Sequence, residues 1–280
     1  MESRLWSIVL AADVGQPLSQ GRDGGPEYLW RPSGTASLAA QTLARLAAIC
    51  PANRTVIVLN DNQREHVGEL PGGPESGRMV FQPHDRGTAV GLLFGLLPVL
   101  TTDPAAVVLV TNRNQAVENT DAFQRGISDA VTYARRRFAL VLVGAESTSA
   151  RSHNEVMIVA QARALLHVCR KRLPVVSPVF VAALSMPPET QKRFLAAQYP
   201  QLPSRDFVQH VLMAPRNLAA YTWPRSIGSV DLKTPEQLQR WLQGVSPRGP
   251  GPKVLANASP IASTAATLPR PSSEPAFTLK

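Results

Sequence analysis

The chain predicts an α/β fold, a doubly wound and mostly parallel sheet, followed by a disordered C-terminal tail. Three observations predict it. Short runs rich in β-branched residues alternate with segments of helical periodicity through the first half of the sequence. The runs are apolar throughout rather than at every second residue, which is the pattern of strands covered on both faces. Past Gly244 the composition shifts to Pro, Ser, Ala and Thr. With 280 residues, 44% of them apolar and 18% charged, there is material for a sizeable core.

The first strand is predicted over residues 5–11 (LWSIVLA). A helix follows over 37–49, with leucines near helical spacing and Ser37 placed to cap it. Strands are predicted over 55–59 and 78–82, then a nearly all-apolar buried helix over 88–100. A strand over 106–110, a helix over 120–137 and a strand over 138–143 continue the alternation. The second half is less regular. It reads as a strand over 155–160, helices over 161–172, 189–198 and 206–213, and a strand over 218–223. A last helix is predicted over 234–243, with Thr234 as its cap and Pro235 in its first turn. Residues 1–245 are thus expected to form one α/β domain. Residues 246–280 hold seven prolines and few bulky groups, too little apolar surface to offset the entropy of ordering, so a disordered tail is expected.

The formal net charge is +9. Its two clusters, RRR at 135–137 and RKR at 170–172, fall at predicted helix C-termini, where cations complement the helix dipole. They lack the aromatic interleaving of single-strand binders, so a nucleic-acid partner is set aside. No apolar run reaches the roughly 18–20 residues that span a bilayer, and the N-terminal run is short for a signal peptide. A cytoplasmic protein with no membrane partner is expected. Cys50 and Cys169 fall in predicted helices at no metal-ligand spacing and read as buried thiols. His66, His84, His153, His167 and His210 form no spacing for zinc or a catalytic triad.

Ligands of doubly wound sheets sit at the carboxyl ends of the strands. Chemistry is therefore expected in the loops after the first, third and fourth strands. The first, "LAADVGQPL", is an apolar run breaking into a turn with Gly15. The third, "DRGTA" at 85–89, opens the apolar helix. A helix N-terminus there suits an anion or a base, while Asp85 or Thr88 equally serves as its cap.

The order of these pieces resembles the sugar-1-phosphate nucleotidyltransferases, and most of all the mannose-1-phosphate guanylyltransferase branch, over roughly residues 5–245. "VLAADVGQPL" (9–18) stands where the family has a pattern like LAGGxGxRL. "PEYLWR" (26–31) stands in place of its PKQ segment. "QPHDRGTAVGLLFGLLPVL" (82–100) resembles P-x-N-R-G-T-A and its apolar helix. "VVLVTNRNQAV" (107–117) stands where the family ends a strand with P-x-D-H, and "GSVDLKTPEQL" (228–238) is similar to its closing W-x-D-x-G-T-P. The resemblance implies a nucleotide-diphospho-sugar transferase-like fold. It also implies the reaction of GDP-mannose biosynthesis, in which GTP and a sugar 1-phosphate give the nucleotide sugar and pyrophosphate. On the family's pattern Ala11, Ala12, Gly15, Arg86, Gly87, Thr88 and Asn154 would hold nucleotide or sugar phosphate. Asp231 would be a metal ligand, with Mg²⁺ as cofactor if the protein is active and none otherwise.

The same alignment shows the machinery altered. Stabilising phosphoryl-transfer charge needs backbone amides, cations and a carboxylate-held metal. Here Ala12 and Asp13 replace two glycines, Pro17 replaces the motif's Arg, Glu27 its Lys, and Arg113 the metal-binding Asp that ends the strand. The stretch from Gly144 to His153 is also too short for the family's sugar-binding segment. No catalytic residue is assigned. Two readings result: a catalytically impaired binding or regulatory protein, its tail suited to tether a protein partner, or an active guanylyltransferase with a rebuilt phosphate and metal site. The charge reversals further suggest that Arg113 pairs with Asp13 or Glu27 in the space of metal and phosphate.

Overall fold

The computed structural model describes residues 4–12, 37–70, 75, 77–113, 115–145, 157–212, 218–223, 229–231 and 278–279. In chain order the elements are β1 (Leu5–Leu10), α1 (Leu38–Ala47), β2 (Thr55–Asn60), β3 (Arg78–Gln82), α2 (Thr88–Thr102), β4 (Val107–Asn112), β5 (Gln115–Val117) and α3 (Thr120–Arg136). They continue with β6 (Leu140–Ala145), β7 (Met157–Gln161), α4 (Ala162–Arg172), α5 (Ser177–Leu184), α6 (Pro188–Gln198), β8 (Leu218–Trp223), β9 (Ser229–Asp231) and β10 (Thr278–Leu279).

The main sheet runs β10-β8-β6-β7-β4-β1-β2-β3. β1 lies parallel to β2, with Ile8 beside Val56, and parallel to β4, with Leu10 beside Asn112. β2 and β3 are parallel, as are β6 and β8. β7 runs antiparallel between β4 and β6, and β10 antiparallel to β8. The predicted mostly parallel, doubly wound sheet is therefore present. A second, two-stranded sheet pairs β5 with β9 and sets Gln115 opposite Asp231.

Successive strand residues point to opposite faces, and both faces are covered. Ile8, Val56, Val58, Val108 and Ile158 pack with α2, α4 and α5 on one side. Val9, Ile57, Leu59, Leu109 and Val159 pack with α1 and α3 on the other. This is why the runs are apolar at nearly every position, each large buried apolar side chain contributing about 1.5–3 kcal/mol. β3 departs from the expectation of full cover. It is the edge strand, with Arg78 exposed and its centre half-buried, because no strand among the described residues lies beyond it. Gly95 sets how closely α2 lies on the sheet, since a Cβ there would sit 2.6 Å from Val58 Cγ2 and 3.0 Å from Ile8 Cγ2.

Local signals placed most helix starts. Ser37 Oγ accepts the Ala40 N–H at 3.2 Å, as its position predicts. The cap of α3 is Asn119, which accepts from the Ala122 N–H at 3.0 Å. α5 was not expected, since its eight residues, SPVFVAAL, are too uniformly apolar to show a period. The helix predicted over 206–213 is a π-helical turn, Val208–Leu212. Both thiols are buried and free, but Cys50 lies just past the end of α1 rather than inside it. The helix predicted over 234–243 lies outside the described residues, as does nearly all of the expected tail; the two tail residues described, Thr278 and Leu279, depart from the expected disorder and pair with β8.

Candidate functional site

β1 and β4 are neighbouring parallel strands whose connections leave in opposite directions, β1 toward β2 and β4 away from it. Such a switch point opens a crevice at the carboxyl ends of the strands. A small open cleft of about 120 Å³ lies on its β1–β2–β3 side. Leu10 and Ala12 at the end of β1, Val58 of β2 and Gln82 at the end of β3 form one wall. Asp85, Gly87, Thr88 and Gly91, at and within the start of α2, form the other, with Asp206 beside them.

The start of α2 is strapped down by the segment 200–207. Arg205 donates its N–H to the Arg86 carbonyl at 2.8 Å, and its own carbonyl accepts the Ala89 N–H at 3.0 Å. Thr88 Oγ1 donates to Asp206 Oδ2 at 3.0 Å and accepts the Phe207 N–H at 2.8 Å. The Arg86 guanidinium donates to the Pro200 carbonyl. Gly87 has φ 82, and a Cβ on it would stand 2.5 Å from the Arg205 carbonyl oxygen, so glycine is required twice over. Asp85 Oδ1 accepts the Gly87 N–H at 2.7 Å. Two of the backbone donors at this helix start, Gly87 and Ala89, are thus engaged within the protein. With Asp85 and Asp206 also on the rim, this end of the cleft suits a ligand edge that donates hydrogen bonds, such as a nucleobase, better than a phosphate.

A chain of buried polar groups runs beneath the cleft. Tyr199 donates its hydroxyl to Gln82 Oε1. Gln82 Nε2 donates to Asn60 Oδ1 at 3.1 Å, and Asn60 Nδ2 donates to the Ala12 carbonyl at 2.6 Å. Gln63 closes the chain, accepting the Asn60 N–H at 2.6 Å and donating to the Ala11 carbonyl at 3.2 Å. Burial, reinforced by Asp85, pushes the Tyr199 hydroxyl well above its ordinary pKa, so it stays a donor. The chain fixes both ends of the Gln82 amide and both carbonyls at the end of β1.

Arg113 follows β4 directly and is only 4% exposed. Its Nη1 donates to the Ala11 carbonyl at 2.7 Å, so the guanidinium reaches from β4 to β1 across the switch point. Thr42 Oγ1 of α1 donates to the Arg113 carbonyl at 3.1 Å and holds its backbone. Thr42 Oγ1 in turn accepts from Arg45 Nη2 at 3.0 Å. Asp13 and Glu27, the expected partners of Arg113, lie outside the described residues.

The Mg²⁺ that the family resemblance implies needs oxygen ligands, and a guanidinium offers only donors. The β5–β9 pairing does bring the Asp231 backbone opposite Gln115, two residues past Arg113. Among the described residues no three His, Cys, Asp or Glu come together to hold a metal. The described groups at the end of β4 do not fit the ion.

Of the residues singled out in the sequence, Ala12, Gly87 and Thr88 line the cleft together. Ala11 stands at its edge, carbonyl held by Arg113 and Gln63, and Arg86 is turned to Pro200. Gly15 and Asn154 lie outside the described residues. Gln82, Asn60, Gln63, Tyr199 and Asp206 were not anticipated. The available signal was a polar side chain ending an apolar strand, as Asn60 and Gln82 do.

No protein-family model matches the chain, and no curated protein matches it. Solved structures do match. A mannose-1-phosphate geranyltransferase from Thermus thermophilus superimposes with a TM-score of 0.65 at 18% identity, covering 82% of this chain and 76% of that one. A mannose-6-phosphate isomerase from Helicobacter pylori gives 0.59 at 14%, covering 81% and 99%. The inositol-1-phosphate CTP transferase from T. maritima gives 0.52 at 12%, covering 88% and 97%. Similarity at these identities shows the fold alone, the mostly parallel, doubly wound α/β sheet described above. The activities named for the three differ, so the fold alone does not select one.

Proposed function

We propose that the chain is a nucleotidyltransferase-like protein that binds a nucleotide or sugar phosphate in this cleft without transferring the nucleotidyl group, and acts as a binding or regulatory protein. The observation that carries this reading is the buried Arg113 bonded to the Ala11 carbonyl. A cation is built in where the resembling enzymes place a metal-binding carboxylate. The altered residues around it point the same way. Losing one transition-state contact costs about 10²–10³ in rate, and several are changed here. GTP is the first nucleotide to test, because the sequence most resembles guanylyltransferases. The C-terminal residues from 246 would serve as a tether to a protein partner.

The test is calorimetric titration of the full chain with GTP, with and without Mg²⁺, followed by a pyrophosphate-release assay with mannose 1-phosphate. Binding of equal affinity in both titrations, with no pyrophosphate, is expected. Mg²⁺-dependent binding with pyrophosphate release would overturn the proposal and establish an active guanylyltransferase with a rebuilt site. Absence of binding would remove GTP as the ligand and leave a scaffold.

A further inference from the structure

The surface formed by the end of α3 and the exposed side of α4 is strongly basic. The described residues from Ala130 to Pro188 contain no Asp or Glu, and they contain Arg135, Arg136, Arg137, Arg163, Arg170, Lys171 and Arg172. These cations belong to one surface. Gln161, at the start of α4, donates to the carbonyls of Ala134 and Arg137 at 3.0 and 3.3 Å and ties α4 to the end of α3. Phe138 meets His167 of α4 edge-on, ring centroids 5.7 Å apart. Exposed Arg163, His167, Arg170 and Lys171 recur at helical spacing along one side of α4. The Ala162 N–H bonds the carbonyl of Ala106, which precedes β4, so α4 starts at the amino ends of the parallel strands, away from the cleft.

The large apolar side chains exposed among the described residues are Phe138, at 49%, and Val175, at 65%. Phe138 follows Arg135, Arg136 and Arg137 at and just past the end of α3, and Val175 stands three residues past the end of α4. We propose that this surface docks peripherally on an anionic lipid bilayer. Phe138 and Val175 enter the headgroup region, and the arginines and Lys171 meet the lipid phosphates. Basic residues around exposed apolar ones are the combination such docking uses, attraction and apolar burial adding. A polynucleotide would explain the charge but not Val175, which offers no face for a base to stack on. No helix among the described residues is long and apolar enough to cross a membrane, and peripheral docking requires none.

The test is sedimentation of the full chain with vesicles of phosphatidylcholine, and with the same vesicles carrying phosphatidylglycerol, at low and high salt. The chain is expected to pellet with the anionic vesicles only, and less at high salt. Replacing Arg163, Arg170 and Lys171 by Gln should weaken this binding about 100-fold, at about five-fold per charge. Phe138→Ser should weaken it with the charge unchanged. Equal partition onto neutral vesicles, or none onto anionic vesicles at low salt, would overturn the proposal. So would a single-stranded RNA that binds more tightly and strips the chain from the vesicles. The wild-type lipid and salt comparison decides the matter even if a variant folds poorly.

Discussion

Arg113 donates from Nη1 to the carbonyl oxygen of Ala11 over 2.7 Å, joining the ends of β4 and β1 across the switch point of the sheet. A guanidinium held this way acts as a structural clasp. Arg113→Met keeps the length of the side chain and removes its charge and donors. A hydrogen bond from a charged group is worth about 1.5–3 kcal/mol, and a loss of that size is expected in urea denaturation. An unchanged midpoint would show that Arg113 is not a clasp.

Tyr199 and Gln82 are 117 positions apart and meet beneath the cleft. Tyr199→Phe keeps the ring, which packs edge-on against Phe94 with centroids 5.4 Å apart. It leaves Gln82 Oε1 without that donor, at a cost of about 1–3 kcal/mol. The Gln82 amide is then free to turn over, so any ligand that contacts it should bind more weakly by calorimetry. Lost stability with unchanged ligand affinity would place the chain of polar groups outside recognition.

Much of the sheet was legible in the sequence, because strands covered on both faces read as nearly continuous apolar runs, and β1, β2 and β4 do, with Ser7 the one polar residue away from their ends. What was not legible depends on pairing between distant segments. The reversal of β7 is one case, since an apolar strand reads the same in either direction. The three-residue β5 and β9 form only because they pair with each other. The site divides in the same way. The "RGTA" segment marked the start of α2, but not the strap from Arg205 and Asp206 that engages its donors. Arg113 was legible as a charge reversal, whereas its bond to Ala11 required the fold.

Gly87 combines a positive φ with contact against the Arg205 carbonyl. Gly87→Ala should cost about 1–3 kcal/mol from the backbone alone, and the 2.5 Å approach adds to it by pushing the strap outward. Urea denaturation should show the loss, and limited proteolysis should show faster cleavage within 200–207. A variant as stable and as resistant as the wild type would mean that the strap moves aside at no cost.

Stability should fall in mild alkali, and the sign follows from the thiols. Burial pushes the Cys169 thiol up to about 12 from an ordinary value of 9.0, and burial raises Cys50 as well. The folded state therefore holds these protons more tightly than the unfolded state. Their contribution is complete well below pH 9 and declines as pH rises toward the folded-state value, at up to about 1.4 kcal/mol per pH unit for Cys169. Arg45 acts in the opposite direction: burial lowers its pKa to about 10, so its desolvation penalty on the folded state is relieved only as pH rises above that value. Tyr199, whose hydroxyl burial also raises, adds to the decline mainly above about pH 10, so the thiols lead it between about pH 9 and about pH 10. Urea midpoints measured across it should fall in the wild type. In Cys169→Ala the decline should be shallower, although the variant starts from lower stability because the lost sulfur leaves a small cavity. A decline of the same steepness in the variant would remove Cys169 as its source.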